Sequence, residues 1–113
     1  MATAIVRGSI EQTRTLKYTN SSAVAAGEIL VLNGQVLVAA TAAAAGAAGA
    51  YVFRSRVEFP KEASLAVAPG EKCYYVAANG NCNKTSSGNT LCGIAVEASA
   101  TTNTTVLVEL NEN

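Results

Sequence analysis

The chain has 113 residues, with eight Lys and Arg against eight acidic residues, no His, and a formal net charge of zero. That length suits one domain with a modest core and leaves no room for a second; half the residues are hydrophobic, chiefly Ala and Val, with few aromatics and no Trp. The even charge balance excludes the concentrated basic face that nucleic acid requires, and the missing His removes the commonest general base, the Ser–His and Cys–His pairs and the usual zinc ligand set.

In chain order, Met1 to Val6 include Ile5 and Val6 and no Gly or Pro. With Arg7 and Gly8 they read as an edge strand or an arm, residues 1–8, able to add to a neighbour's sheet. Glu28 to Leu32 and Gln35 to Ala39 alternate around Asn33-Gly34. Both residues of a type I′ turn need positive φ, so this pair predicts a tight hairpin. Ala39 to Ala50 is ambiguous: Ala favours helix, Gly46 and Gly49 oppose it by about 1 kcal/mol each, and a loop competes with a helix. Tyr51 to Phe59 predicts one long strand, with Tyr51, Phe53, Val57 and Phe59 on one face and Arg54, Arg56 and Glu58 on the other.

Ala63 to Ala68, between Pro60 and Pro69, is a candidate for one helical turn. Lys72 to Ala78 predicts a strand that Asn79-Gly80-Asn81 turns into a short polar strand ending at Lys84. Thr90 to Glu97 and Thr104 to Leu110 are the last two strands, Val106, Val108 and Leu110 sharing a face. The expected fold is all-β, a compact antiparallel barrel or sandwich with short hairpins and at most one short helical segment, spanning 1–113 as a single domain. A faint duplication shows: Ala26-Gly27-Glu28 leads through a strand to Asn33-Gly34, and Pro69-Gly70-Glu71 through another to Asn79-Gly80.

No catalytic constellation emerges. The eight carboxylates are all Glu, spread along the chain beside turns or on wet faces. Cys73, Cys82 and Cys92 lack C-x-x-C spacing, so they read as three buried thiols, with one disulfide such as Cys73 to Cys92 as the alternative. Neither a secretory leader nor a membrane span is visible, since Val36 to Val52 is too mild to cross a bilayer; a soluble protein without cofactor, metal, nucleic-acid or membrane partner is expected. Arg54 and Arg56, with Glu58 beyond, are either a docking surface for an acidic partner or a solvated face.

Taken together, Gly27-Glu28 with its hairpin, Val57-Glu58-Phe59-Pro60-Lys61, Pro69-Gly70-Glu71-Lys72-Cys73-Tyr74-Tyr75, Gly88-Asn89-Thr90-Leu91-Cys92-Gly93-Ile94-Ala95-Val96 and Thr104-Thr105-Val106-Leu107-Val108-Glu109-Leu110 form a pattern. It resembles the small capsid cement, or head decoration, proteins of tailed bacteriophages and prophages, most specifically from Phe59 onward. The chain departs from that family in its long Ala42 to Ala50 segment and in its cysteines. The resemblance implies a non-enzymatic β protein, made in the host cytoplasm, that binds the major capsid protein on the outside of the virion head as a trimer. Ile5, Val6, Arg7, Arg54, Arg56 and Glu58 are the candidate capsid interface. The alternative is a carbohydrate- or cell-surface-binding β module of a tail or fibre, for which Tyr74 and Tyr75 make a poor platform because neighbours in a strand face opposite ways.

Overall fold

Alternating apolar residues build ten strands in the computed structural model, which describes residues 3–8 and 13–112. They are β1 (Ile5–Val6), β2 (Arg14–Thr19), β3 (Ile29–Leu32), β4 (Gln35–Ala39), β5 (Ala48–Arg54), β6 (Arg56–Pro60), β7 (Lys72–Val76), β8 (Asn81–Asn83), β9 (Thr90–Ala95) and β10 (Thr105–Leu110). A smaller sheet runs β2-β5-β4-β3 and a larger one β1-β6-β10-β9-β7-β8, every paired strand antiparallel. The larger sheet curls until its ends touch at the single bridge Lys61↔Cys82. It does not close, so the fold is a β-sandwich rather than a barrel.

The Asn33-Gly34 hairpin forms as expected. Leu32 pairs with Gln35, and φ is 50° at Asn33 and 79° at Gly34, the left-handed pair that a type I′ turn demands. The ambiguous Ala-rich stretch resolves into a bridge at Ala43, a turn, and the start of β5. No helix occurs among the described residues; the Ala63 to Ala68 candidate is a turn in which Ser64 takes φ 62°.

The long strand expected over Tyr51 to Phe59 is two strands in two sheets, divided at the buried Ser55. Crossing from one layer of a sandwich to the other inverts which face is inside. Val57 and Phe59 therefore join the core between the sheets, while Tyr51 joins a second cluster on the outer face of the smaller sheet, with Phe53 packed against it.

The faint duplication is a full structural repeat. Residues 14–54 order their strands β2-β5-β4-β3, and residues 56–110 order theirs β6-β10-β9-β7, with β8 added. In each half two crossing segments pair at one isolated bridge, Val24↔Ala43 and Val67↔Ser99. A turn closed by an i→i+3 bond follows each bridge residue: Glu28 N donates to Ala25 O, Ala47 N to Ala44 O, Glu71 N to Ala68 O and Asn103 N to Ala100 O. Two of the turns carry Gly-Glu, with φ 84° at Gly27 and 89° at Gly70. There the Glu carboxylate reaches back to accept from the amide of Ala25 (3.0 Å) and of Ala68 (2.7 Å), fixing the entry into β3 and β7.

Strand registers match between the halves except beyond Cys73, where a bulge shifts β7 on β9 by one residue. Leu16↔Tyr51 corresponds to Val57↔Val108, and Tyr18↔Gly49 to Phe59↔Val106. Ala39↔Tyr51 corresponds to Ala95↔Val108, and Leu30↔Leu37 to Cys73↔Gly93. The second half's members of this set form the floor of the main core. Over that floor lies the reverse face of the first half, through Ile29, Val36, Val38 and Val52. The halves are thus stacked front to back.

Three polar devices lock the stack. Lys61, buried at the end of β6, donates from Nζ to the carbonyls of Leu65 (2.5 Å) and Ala100 (2.6 Å), tying the two crossing segments of the second half together; burial lowers its pKa. Asn111 donates from its amide to the carbonyls of Val36 (3.1 Å) and Phe53 (2.8 Å), joining the chain's last turn to the first half. Gly93 sits at φ 150° where a Cβ would lie 1.9 Å from Glu109 O, so β9 and β10 approach only because that position has no side chain.

The cysteines are buried and unbonded, in agreement with the first of the two readings. Cys82 and Cys92 are the pair in contact, Sγ to Sγ 3.1 Å. Burial pushes the Cys73 thiol up to about 12 and the Cys92 thiol upward as well, which keeps both protonated and unreactive.

Candidate functional site

Residues 3–8 form a strap across the edges of both sheets; Met1 and Ala2, the first residues of the expected arm, lie outside the described residues. Thr3 bridges to Glu28, and Ala4 N donates to Gly27 O at 2.7 Å, on the side of the first half. Ile5 and Val6 then pair with Glu58 and Val57 of β6 in the second. Arg7 N and Gly8 N both donate to Arg56 O. Between strap and smaller sheet lies a groove of about 690 Å³ lined by Ala4, Ile5, Val6, Ala39, Ala40 and Val52. Ile5 turns away from the core and is 50% exposed, an apolar side chain on a two-residue edge strand.

The six interface candidates thus split into a cluster and two neighbours. Ile5, Val6, Arg7 and Glu58 meet directly: the Arg7 guanidinium contacts the Glu58 carboxylate through Nη2 at 2.9 Å and Nε at 3.0 Å. Arg54 and Arg56 flank the crossing at Ser55, and each has an acidic partner already, Glu112 Oε2 at 2.7 Å and Glu109 Oε1 at 3.4 Å. Arg54 also faces Arg14 across the β2–β5 pair, a like-charge opposition that Glu112 offsets. All three pairs are exposed, so each contributes under about 1 kcal/mol. The surface is a row of neutralised ion pairs rather than a positive patch.

Glu109 and Glu112 were not among the candidates. Only the register of β10 on β6 brings Glu109 opposite Arg56, and no local signal in the sequence carries a register. A second unforeseen feature is the outer face of the smaller sheet. Tyr51, Leu37, Ala39 and Val24 are buried there, with Leu16, Tyr18, Leu30, Leu32 and Phe53 only partly covered. Tyr18 packs edge-on against Tyr51 at 5.9 Å between ring centroids. Tyr51 Oη is buried without a hydrogen-bond partner.

Among the described residues no group of three His, Cys, Asp or Glu side chains is placed to hold a metal ion. No curated protein and no solved structure matches this chain. A family comparison does: the model of the phage cement protein family matches residues 10–110. The match takes in both repeats, the sheet-crossing Ser55 and the Gly93 contact. The chain belongs to the phage cement protein family.

Proposed function

We propose that the protein binds the outer surface of a bacteriophage head, through the major capsid protein, and stabilises the shell against the pressure of its DNA. The observation that carries this reading is the family match across both repeats. The reading places the protein, synthesised in the host cytoplasm, on the virion as a trimer that acts without catalysis. Each subunit then needs only a modest interface, because a trimer bridging neighbouring capsomers converts weak contacts into one strong one. The strap supplies a candidate grip: Ile5 is exposed on an edge strand whose outer side is open to an extended segment of capsid protein. Arg7, Arg54, Arg56 and Glu58 surround it as ion pairs that can exchange partners on docking.

Linkage supplies the test. A protein that binds the intact shell and not its disrupted state raises the shell's resistance to heat. Heads lacking the protein should form, yet release DNA at a lower temperature, and purified protein should restore the higher temperature with saturation at a fixed copy number. The double reversal Arg54→Glu with Arg56→Glu should weaken occupancy while leaving the free protein's melting temperature nearly unchanged. Equal release temperatures for bare and occupied heads would overturn the cementing role. The tail or fibre reading gains no comparable support, since Tyr18 and Tyr51 pack against each other.

A further inference from the structure

We propose that the partly covered outer face of the smaller sheet, centred on Leu16, Tyr18, Leu30, Leu32 and Phe53, is a second head-binding surface that accepts a β-layer of branched aliphatic side chains on the capsid protein. The inference rests on the cementing role and adds the surface and the chemistry of its occupant. It follows from the repeat. Position by position, the face corresponds to the floor of the main core: Leu16 to Val57, Tyr18 to Phe59, Leu30 to Cys73, Tyr51 to Val108. In the second half that floor is fully buried, because the Val36, Val38 and Val52 face of the first half lies over it. In the first half the same surface, built on the same strand order and flanked by the same bridged crossing segments, has none of the described residues over its rim. The intramolecular interface therefore shows what fits: a sheet face of small β-branched aliphatics.

Among the described residues there is no second free face of that kind to offer a neighbouring copy. The reverse of the first half is used internally, and on the reverse of the second half the positions matching Ile29, Val38 and Val52 are Lys72, Ile94 and Glu109, so that charges flank the one apolar side chain. Charges there end the stacking at two layers, which points to a different protein as occupant.

The experiment adds purified wild-type protein, Leu16→Lys, Leu32→Lys and, as a control on the outer face of the larger sheet away from β6, Leu91→Lys to heads lacking it, and reads copies bound. Milder Leu16→Ala and Leu32→Ala variants accompany them, and circular dichroism and melting curves confirm the fold of each. The expected result is at least a tenfold loss of affinity for the Leu16→Lys and Leu32→Lys variants, a severalfold loss for the Ala variants, and wild-type occupancy for Leu91→Lys. Wild-type occupancy by folded Leu16→Ala and Leu32→Ala overturns the inference while leaving the cementing role standing. Light scattering that shows a wild-type dimer or trimer abolished by Leu32→Ala also overturns it, in favour of another copy of this chain packed on the face. Failure of the wild type itself to bind heads overturns the underlying role as well.

Discussion

The two halves share strand order, bridges, turns and, apart from the bulge after Cys73, register, yet one makes the core and the other keeps a surface. In the second half the inward positions carry Val57, Phe59, Val106, Val108 and Leu110, all buried. Their counterparts in the first half are Leu16, Tyr18, Gly49, Tyr51 and Phe53, larger on average and only partly covered at the rim. The same backbone plan thus serves stability where it is roofed and remains available for contact where it is not. What decides between the two is the reverse face of each layer: apolar in the first half, and charged at Lys72 and Glu109 in the second.

The sharpest way to break the comparison is at Gly93. Its counterpart in the first half, Leu37, carries a full side chain, whereas a Cβ at Gly93 would collide with Glu109 O. Gly93→Ala should destabilise by about 3 kcal/mol or more, since both backbone strain and a clash must be relieved; Leu37→Ala, a cavity with no clash, gives the comparison value, and denaturant midpoints measure both. A Gly93→Ala protein as stable as wild type would show that β9 and β10 need no such close approach.

A smaller loss is expected at the hairpin of the first half. Gly34 holds φ 79° with open space around its Cα, so Gly34→Val costs backbone strain alone, about 1 to 2 kcal/mol in a melting experiment. No change in melting temperature would mean that the turn is not fixing the β3–β4 register.

The smallest effect separates the two Gly-Glu turns. The Glu71 carboxylate accepts from Ala68 N and sits beside Lys84 Nζ at 3.3 Å, and these hydrogen bonds hold its pKa below the ordinary glutamate value. A carboxyl whose folded pKa is depressed stabilises the fold above its unfolded pKa and loses that contribution as pH falls through the folded one. Stability should therefore decline as pH drops below the ordinary glutamate range, about 4.3, and Glu71→Gln should flatten that part of the profile. An unaltered acid limb in the variant would assign the decline to other carboxylates.

Local chemistry was legible in the sequence and layer assignment was not. Asn33-Gly34 announces its own turn because both residues are chosen for positive φ, whatever the rest of the chain does. Period-two alternation identified β5 and β6 but counted them as one strand, because alternation records sides and carries no signal for a change of sheet at Ser55. The duplication was visible at Gly27-Glu28 and Gly70-Glu71, whose turns carry a distinctive pair. It was silent at Ala44–Ala47 and Ala100–Asn103, where the same turn is made from unremarked residues. Of the candidate interface, the Ile5 to Arg7 strand and Glu58 meet as one cluster. The acidic partners of Arg54 and Arg56 stayed hidden because they lie more than fifty positions away, brought near only by folding.

The sheet crossing at Ser55 also bears on how the chain order itself can be rearranged. Thr13 Oγ1 lies 2.9 Å from Ser55 Oγ, Leu110 N donates to Ser55 O, and Asn111 donates to Phe53 O. Both ends of the duplicated body thus converge on its middle. A circular permutant that begins at Arg56, runs to Glu112, continues through a short glycine linker into Thr13 and ends at Ser55 keeps every pairing among β2 to β10 and the contacts of Ser55 while omitting the strap. Such a molecule would test whether the proposed head binding needs the strap or the body alone suffices, in a protein whose two layers have merely exchanged places along the chain.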